Sequence, residues 1–216
     1  MKIILFGATG NLGQRIASEA LDRGHEVIGV VRDTDEVVHP DDRLELADGD
    51  ATNPASVAHF AAGADAIVNA ISPRVNARGL AAPSLTDAAH ALIAGARQAG
   101  VKRLIVVGGA GSLEVSPGLH LVDSPGFPEP YRPEARAQRE ALETYRAEAA
   151  DLDWTYISPA AEIRPGVRTG SYRMGNDTLL VDAQGKSQIT YEDYAAALVD
   201  ELEQGRHIRE RFTVAY

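Results

Sequence analysis

Three glycines near the start of the chain have the spacing of a phosphate-binding turn. Gly7-x-x-Gly10-x-x-Gly13 follows the apolar run Ile3–Phe6 directly and precedes a predicted helix. Such glycines let the backbone turn tightly and approach a pyrophosphate, while the amides that open the helix attract negative charge. The alternative is a purely structural strand-to-helix turn. The pattern predicts a dinucleotide site that comprises Gly7, Thr9, Gly10, Asn11, Leu12 and Gly13.

Charged side chains follow the next two predicted strands. Arg32 and Asp33 follow the strand that ends at Val31, and Asp50 and Ala51 follow the third strand. In a dinucleotide-binding sheet, an acidic side chain at the end of the second strand accepts from a ribose 2′-hydroxyl, whereas arginine pairs with a 2′-phosphate. Arg32 comes first, so we expect NADP, with NAD as the alternative. Asp50 is expected to bind the adenine edge, or else to form a turn before the helix that starts near Asn53.

Small residues follow the fourth and fifth predicted strands. Ala70 and Ile71 would let the chain pass close to a bound cofactor. Val107-Gly-Gly-Ala-Gly-Ser112 ends the fifth strand, and Ser112 is expected to face the nicotinamide end and to bind substrate. A simple loop serine is the alternative.

The elements that would position these residues alternate regularly along the chain. Strands are predicted over 2–6, 26–31, 44–46, 66–70, 103–107 and 153–157, and helices over 11–23, 53–61, 84–99, 134–150 and 192–202; residues 211–214 are expected to add an edge strand. Strand and helix in alternation predict the α/β class, here a Rossmann-type doubly wound parallel sheet with helices on both faces. We expect one domain over 1–216, in which a small C-terminal portion, about 159–216, covers the substrate.

Three longer segments interrupt this alternation, at 72–83, 108–132 and 159–176. Each follows a strand at the edge of the sheet where open α/β folds bind ligands. Loops of this length are commonly functional lids, so residues 113–130 are expected to close over a ligand. In the helix after the middle segment, Glu134 and Gln138 are four residues apart and are interpreted as part of a solvated face.

The composition excludes several kinds of partner and site. The chain has 216 residues, a formal charge of −10 and no cysteine, and its six histidines lack the spacing of a metal-ligand set. The acidic balance argues against binding nucleic acid or an anionic membrane. Neither a signal peptide nor a membrane-spanning run is evident, which favours a cytoplasmic protein. We expect a monomer or a homodimer.

With these pieces together, the chain resembles the atypical short-chain dehydrogenases/reductases, in the branch of NAD(P)H-binding NmrA-like proteins and NADH-flavin reductases. The matching pieces are the glycine motif, Val30-Val31-Arg32, Gly49-Asp50, the segment 107–112 and Ile189-Thr-Tyr-Glu-Asp-Tyr-Ala195. The resemblance covers almost the whole chain and implies the strand order 3-2-1-4-5-6-7. It also implies an NAD(P)H-dependent oxidoreductase.

The chain departs from the superfamily at its catalytic pair, a tyrosine followed four residues later by lysine. Tyr131 lies near the start of the corresponding helix, but residue 135 is alanine. Without that lysine Tyr131 is a poor proton donor, which argues against a dehydrogenase or an epimerase. Hydride transfer to a flavin, a quinone or a similar conjugated small-molecule acceptor needs mainly alignment, with Ser112 and Tyr131 as the orienting residues. A non-catalytic NAD(P) sensor of the NmrA type and an atypical dehydrogenase/epimerase are the alternatives.

Overall fold

The computed structural model describes residues 1–34, 41–73 and 83–216. Its centre is an eight-stranded sheet in the order β3-β2-β1-β4-β5-β8-β12-β10. Neighbouring strands are parallel except for β10, which pairs antiparallel with β12. The strands are β1 (Lys2–Phe6), β2 (Glu26–Val31), β3 (Glu45–Asp48), β4 (Ala66–Asn69), β5 (Arg103–Val107), β6 (Glu114–Ser116), β7 (Leu119–His120), β8 (Asp153–Ser158), β9 (Glu162–Arg164), β10 (Arg173–Gly175), β11 (Gln188–Thr190) and β12 (Glu210–Ala215). The helices are α1 (Asn11–Asp22), α2 (Pro54–Ala61), α3 (Leu85–Ala99), α4 (Arg132–Glu148) and α5 (Tyr191–Gln204).

Helices cover both faces of the sheet, and β1 shows why its sequence is apolar throughout. Ile3 and Leu5 belong to the core on the side of α1 and α5, whereas Ile4 and Phe6 belong to the core on the side of α2, α3 and α4. Successive strand residues point to opposite faces, so a strand buried on both sides needs apolar residues at every position. The doubly wound Rossmann-type fold predicted from the sequence is confirmed.

The expected strand order 3-2-1-4-5-6-7 is also confirmed, since β8 and β12 supply the sixth and seventh strands. The strand predicted over 211–214 is present within β12, but its predicted place at the edge of the sheet is wrong, because β12 lies between β8 and β10. The short strand β10 was missed. It has only three residues, of which Arg173 and Met174 are exposed, so it lacks the apolar run that predicts a strand.

The helix ends follow the local rules of capping. The Ser84 hydroxyl accepts from the Asp87 amide at 3.2 Å, and the Thr190 hydroxyl accepts from the Asp193 amide at 3.1 Å. Gly100 ends α3 in the left-handed conformation, with φ of 73°. These caps fix where α3 and α5 begin and where α3 gives way to β5.

The three interrupting segments differ in the structure. Most of the first, residues 74–82, lies outside the described residues. The middle one contains the hairpin of β6 and β7 and single 3-10 turns at Ala110–Ser112, Leu121–Asp123 and Glu129–Tyr131. The C-terminal portion from 159 onwards adds β10 and β12 to the main sheet. It therefore forms part of the central sheet as well as loops at its edge. No helix in the described parts of the chain is long and apolar enough to cross a bilayer.

Candidate functional site

A large cleft opens at the carboxyl ends of the central strands. Its volume is about 900 Å³, and its wall includes residues that follow β1, β2, β4, β5 and β8. This is the edge of the sheet where an open α/β fold binds its ligands. The wall contains ten of the eleven cofactor-site residues predicted from the sequence: Gly7, Thr9, Gly10, Asn11, Leu12, Arg32, Asp50, Ala51, Ala70 and Ile71.

The three motif glycines have different reasons to be glycine. Gly7 has φ of +82°, and a Cβ there would overlap the Ala70 carbonyl group. Gly13 lies outside the cleft wall and packs on the backbone of Gly7, so its role is to seat α1 against β1. Gly10 has φ of −70°, which any residue adopts, and a Cβ there would meet only the Gly7 carbonyl oxygen, at 3.4 Å.

Gly10 therefore keeps open a space that the protein itself does not fill. The space lies at the N-terminus of α1, whose amides and dipole favour a negatively charged ligand. Thr9, Asn11 and Leu12 line the cleft beside it. A pyrophosphate needs this kind of backbone approach, so the residues present fit a dinucleotide cofactor.

Asp50 forms the turn before α2, which the sequence offers as the alternative to a contact with adenine, and it also lines the cleft. Its Oδ1 accepts from the Thr52 amide at 2.8 Å and from the Thr52 hydroxyl at 2.7 Å. The Asn53 side chain then caps α2 by accepting from the Ala55 amide at 3.0 Å. Asp50 and Ala51 are both in the cleft wall, so the turn presents them to a ligand while it starts the helix.

Ala70 and Ile71 follow β4 in a tightly held backbone. The buried Asn69 side chain accepts from the Ile71 amide at 3.1 Å, and the Ala70 amide donates to the Phe6 carbonyl at 2.8 Å. Both residues lie in the cleft wall, as the sequence predicts. Gly7 packs directly on the backbone carbonyl group of Ala70, which brings the ends of β1 and β4 together.

Ser112 does not lie where the sequence predicts. It is 6% exposed and outside the cleft wall, and its hydroxyl accepts from Arg211 Nη1 at 3.2 Å. Arg211 itself is buried and also bonds to Asp177. The glycines before Ser112 allow the chain to turn into the core here. Gly111 packs so closely on Ala135 that a Cβ on Gly111 would overlap the Ala135 side chain. The expectation that Ser112 faces the nicotinamide end is therefore corrected.

Helix α4 supplies one wall of the site through residues three or four apart. Tyr131 is 61% exposed at the start of this helix and lines the cleft, as do Glu134, Ala135 and Gln138. The interpretation of Gln138 as part of a solvated face is wrong, because this side chain is only 8% exposed. The signal was present in the sequence: Gln138 shares a stripe with Ala135, Ala141, Leu142 and Tyr145, all of which are buried.

Apolar and aromatic side chains also line the cleft, and sequence reasoning did not assign most of them to the site. Phe127 and Leu121 line it from the middle segment, and Ile163 and Tyr191 line it from the C-terminal portion. Arg132 holds Phe127 in place: its guanidinium lies 5.6 Å from the ring centroid and donates to the carbonyls of Val122, at 2.6 Å, and Phe127, at 3.3 Å. The sequence marks the middle segment as a candidate lid and 189–195 as a family match, but no periodicity there shows which individual side chains reach the cleft.

Similar proteins share this fold and carry related names. Residues 7–205 match the NAD(P)H-binding family. The chain is 49% identical to a provisionally assigned exported protein from Burkholderia pseudomallei, with full coverage of both chains and a TM-score of 0.88. It is 41% identical to a provisionally assigned epimerase from Bacteroides thetaiotaomicron, which covers 100% of this chain and 96% of that one, with a TM-score of 0.88.

A third relative carries the name that the sequence resemblance implies. The chain is 32% identical to a provisionally assigned NADH-flavin reductase from Streptococcus pneumoniae TIGR4, with coverage of 100% of this chain and 99% of that one and a TM-score of 0.84. The family match extends from the glycine motif through α5 and so includes every residue of the cleft wall except Phe6. The chain belongs to the NAD(P)H-binding family of Rossmann-fold proteins, among the atypical short-chain dehydrogenases/reductases.

Proposed function

We propose that this protein is an NAD(P)H-dependent oxidoreductase that passes a hydride to a flavin, a quinone or a similar flat conjugated acceptor. One observation carries the proposal: a single cleft contains both the open space at Gly10 and a set of apolar and aromatic side chains. Aromatic side chains bind flat conjugated rings through offset or edge contacts over a large apolar area. The set comprises Leu121, Phe127, Tyr131, Ile163 and Tyr191.

In this proposal the protein contributes to the reaction mainly by aligning the nicotinamide ring with the acceptor ring. A reduced nicotinamide supplies the hydride when it is bound, and the protein holds the two rings in contact. Ala135 stands where the superfamily has its lysine, and it is 8% exposed against Gly111. Tyr131 therefore orients the acceptor through its hydroxyl, and water supplies the proton. Residues 159–163 and Tyr191 cover the acceptor from the C-terminal side.

We further propose NADP as the preferred cofactor. Arg32 leaves the end of β2 and lines the cleft, where a guanidinium can bind a 2′-phosphate with two parallel hydrogen bonds. Asp33 follows it and would suit the 2′-hydroxyl of NAD instead. Comparing the Kd of NADPH with that of NADH by calorimetry distinguishes the two.

The function is tested by mixing the protein with NADPH and either FMN or menadione and following the nicotinamide absorbance. Gly10→Val, which fills the proposed pyrophosphate site, serves as the matched inactive variant. Turnover in the parent that is absent in this variant supports the proposal. Tight NADPH binding without turnover of any acceptor would instead favour the NmrA-type sensor.

The relative named an epimerase supports a second candidate, an atypical dehydrogenase/epimerase. This reading needs another proton donor, since Tyr131 lacks its lysine partner, and Glu134 lies in the cleft wall next to Ala135. NADP-dependent conversion of a sugar nucleotide that Glu134→Gln abolishes would favour it over acceptor reduction.

The proposed location is the cytoplasm, although one relative is named an exported protein, so fractionation of the cells that make the protein is the direct check.

A further inference from the structure

Gln138 is a buried polar side chain in the wall of the cleft. It is 8% exposed, lines the cleft and packs on Gly109, where a Cβ would lie 3.1 Å from both Cβ and Cγ of Gln138. It lies seven residues after Tyr131, two turns along the same face of α4. Its amide is therefore held where α4 meets the chain that follows β5, two strands away from the strand that leads to Gly10.

A buried tyrosine fixes the amide of Gln138. The Tyr156 hydroxyl lies 2.9 Å from Gln138 Oε1 and 2.9 Å from the Gln138 carbonyl oxygen, and these two acceptors share its one proton. Burial raises the pKa of Tyr156, an effect that the Gly109 amide only partly opposes, so the hydroxyl stays protonated. The Tyr156 ring already packs closely on the backbone of Gly108, since a Cβ on Gly108 would overlap the ring. The ring therefore cannot move further toward Gly108.

With Oε1 occupied by Tyr156, the two N–H groups of Gln138 Nε2 are left for another partner. No residue within 1–34, 41–73 or 83–216 accepts a hydrogen bond from Nε2. Because Gln138 lines the cleft and Nε2 is not among the buried polar atoms without a partner, these N–H groups face the cleft. Water accepts from them when the cleft is empty, and a bound molecule with an acceptor oxygen can take its place.

We propose that Gln138 Nε2 donates a hydrogen bond to a carbonyl oxygen of the bound electron acceptor, and so selects conjugated rings that carry a carbonyl. The inference rests on the oxidoreductase function proposed above. When a hydride adds to such a ring, the displaced electron pair comes to rest on the carbonyl oxygen, which then takes a proton from water. The acceptor is reduced by two electrons and the nicotinamide is oxidised by two. A fixed donor at that oxygen binds the charged state more strongly than the neutral one.

The test uses Gln138→Leu, which keeps the volume and removes the donor. Tyr156 retains the Gln138 backbone carbonyl as a partner in this variant, so the core loses little. Tyr156→Phe removes the group that orients the amide and leaves the amide itself. Gln98→Leu, the same change at an exposed position on α3, is the matched control.

Three quantities are measured for each variant: the Kd of NADPH, the Kd of menadione with the NADP⁺-saturated protein, and kcat/KM for menadione. In Gln138→Leu we expect an unchanged Kd for NADPH and menadione binding weakened about 2- to 12-fold, as for one neutral hydrogen bond. The value of kcat/KM should fall about 12- to 150-fold, because the lost bond is to a charged oxygen in the transition state. Tyr156→Phe should show a smaller loss with the same pattern, and Gln98→Leu none.

The outcomes separate this inference from the function on which it rests. Unchanged menadione binding and turnover in Gln138→Leu would overturn the role of Gln138 while leaving the oxidoreductase intact. Equal losses for NADPH and menadione, with a lower Tm, would also overturn it by showing a structural role. If the parent binds menadione in a Gln138-dependent way but never reduces it or FMN, the contact stands and the oxidoreductase proposal fails. A parent that binds neither menadione nor FMN overturns both.

Discussion

Gly13 on α1 lies against the backbone of Gly7 at the end of β1, so closely that a Cβ on Gly13 would be under 3.0 Å from the Gly7 carbonyl oxygen. Gly7 in turn packs on the Ala70 carbonyl that follows β4. Helix α1 and two central strands thus meet through bare backbone. Gly10 lies between Gly7 and Gly13 in the sequence but has no such close contact. The absence of a side chain at Gly10 therefore leaves space for a ligand and is not needed for the packing of the fold.

This difference predicts opposite results for substitutions at two glycines of one motif. Gly10→Val should remove NADPH binding and leave the free energy of unfolding nearly unchanged, because the new side chain occupies the ligand's space. Gly13→Val should lower the stability severely, since a buried backbone contact has to open. Calorimetric titration with NADPH and urea unfolding of both variants make the comparison. NADPH binding by Gly10→Val at the parent's affinity would refute the pyrophosphate site.

Arg32 provides a prediction about cofactor choice. If its guanidinium binds the 2′-phosphate, Arg32→Ala should weaken NADPH binding by about 1.5–3 kcal/mol and leave NADH binding nearly unchanged. Arg43→Ala is the control, because Arg43 pairs with Asp22 and Asp41 and lies outside the cleft wall. The Kd of each cofactor is measured for all three proteins. An equal loss for NADPH and NADH in Arg32→Ala would rule out recognition of the 2′-phosphate.

The sequence predicted the sheet and the part of the cleft around the glycine motif far better than the part beside α4. The glycine motif and the ends of β1, β2 and β4 are local features, in which a few adjacent residues determine both the turn and its contacts. The part beside α4 depends on contacts between distant segments. The Ser112 hydroxyl lies in the core, where it accepts a hydrogen bond from Arg211, 99 residues later, and Arg132 donates to the Phe127 carbonyl beside the cleft.

The same distinction applies in part to Gln138. Its stripe with Ala135, Ala141 and Leu142 indicates a buried position, but the orientation of its amide depends on Tyr156, a partner 18 residues later on β8. The helix ends, by contrast, were predictable because Ser84 and Thr190 bond to amides only three residues away. Long-range partners are not encoded in any short window of the chain.

Asp193, in the first turn of α5, binds residues 169 and 170 and the C-terminal Tyr216, and it predicts a pH-dependent stability. It is fully buried, and its carboxylate accepts from the Thr169 amide at 2.8 Å, the Gly170 amide at 2.7 Å and the Tyr216 hydroxyl at 2.6 Å. Burial raises the pKa of Asp193, but these hydrogen bonds outweigh it and hold the pKa below its ordinary value. Asp193→Asn should lower the free energy of unfolding at pH 7 by about 1–3 kcal/mol, because donors lose their acceptor.

The sign of the pH dependence follows from the lowered pKa. The ionised carboxylate stabilises the folded state fully above the unfolded pKa of about 3.9, and this contribution is lost as the pH falls through the lower folded value. The difference between the parent and Asp193→Asn should therefore be constant from pH 5 to 7 and shrink below pH 4. Urea unfolding across this range checks it, with Asp42→Asn as a control at an exposed carboxylate. A difference that persists undiminished at pH 3 would show that ionisation of Asp193 is not its source.

The last prediction concerns the chemistry of the two residues first expected to act on the substrate. Ser112 is buried against Arg211, so Ser112→Ala should cost about 0.5–1.5 kcal/mol of stability and leave turnover of menadione nearly unchanged. Tyr131 lines the cleft without a lysine partner, so Tyr131→Phe should slow turnover only about 2- to 12-fold, the value of one neutral hydrogen bond. Removing an essential general acid typically costs about 100-fold or more. Turnover of both variants is measured with menadione and NADPH at saturation, after urea unfolding has confirmed that each is folded. A loss of several hundredfold in Tyr131→Phe would identify a true proton donor and return the protein to the dehydrogenases, whereas a modest loss leaves alignment of two rings as the basis of its activity.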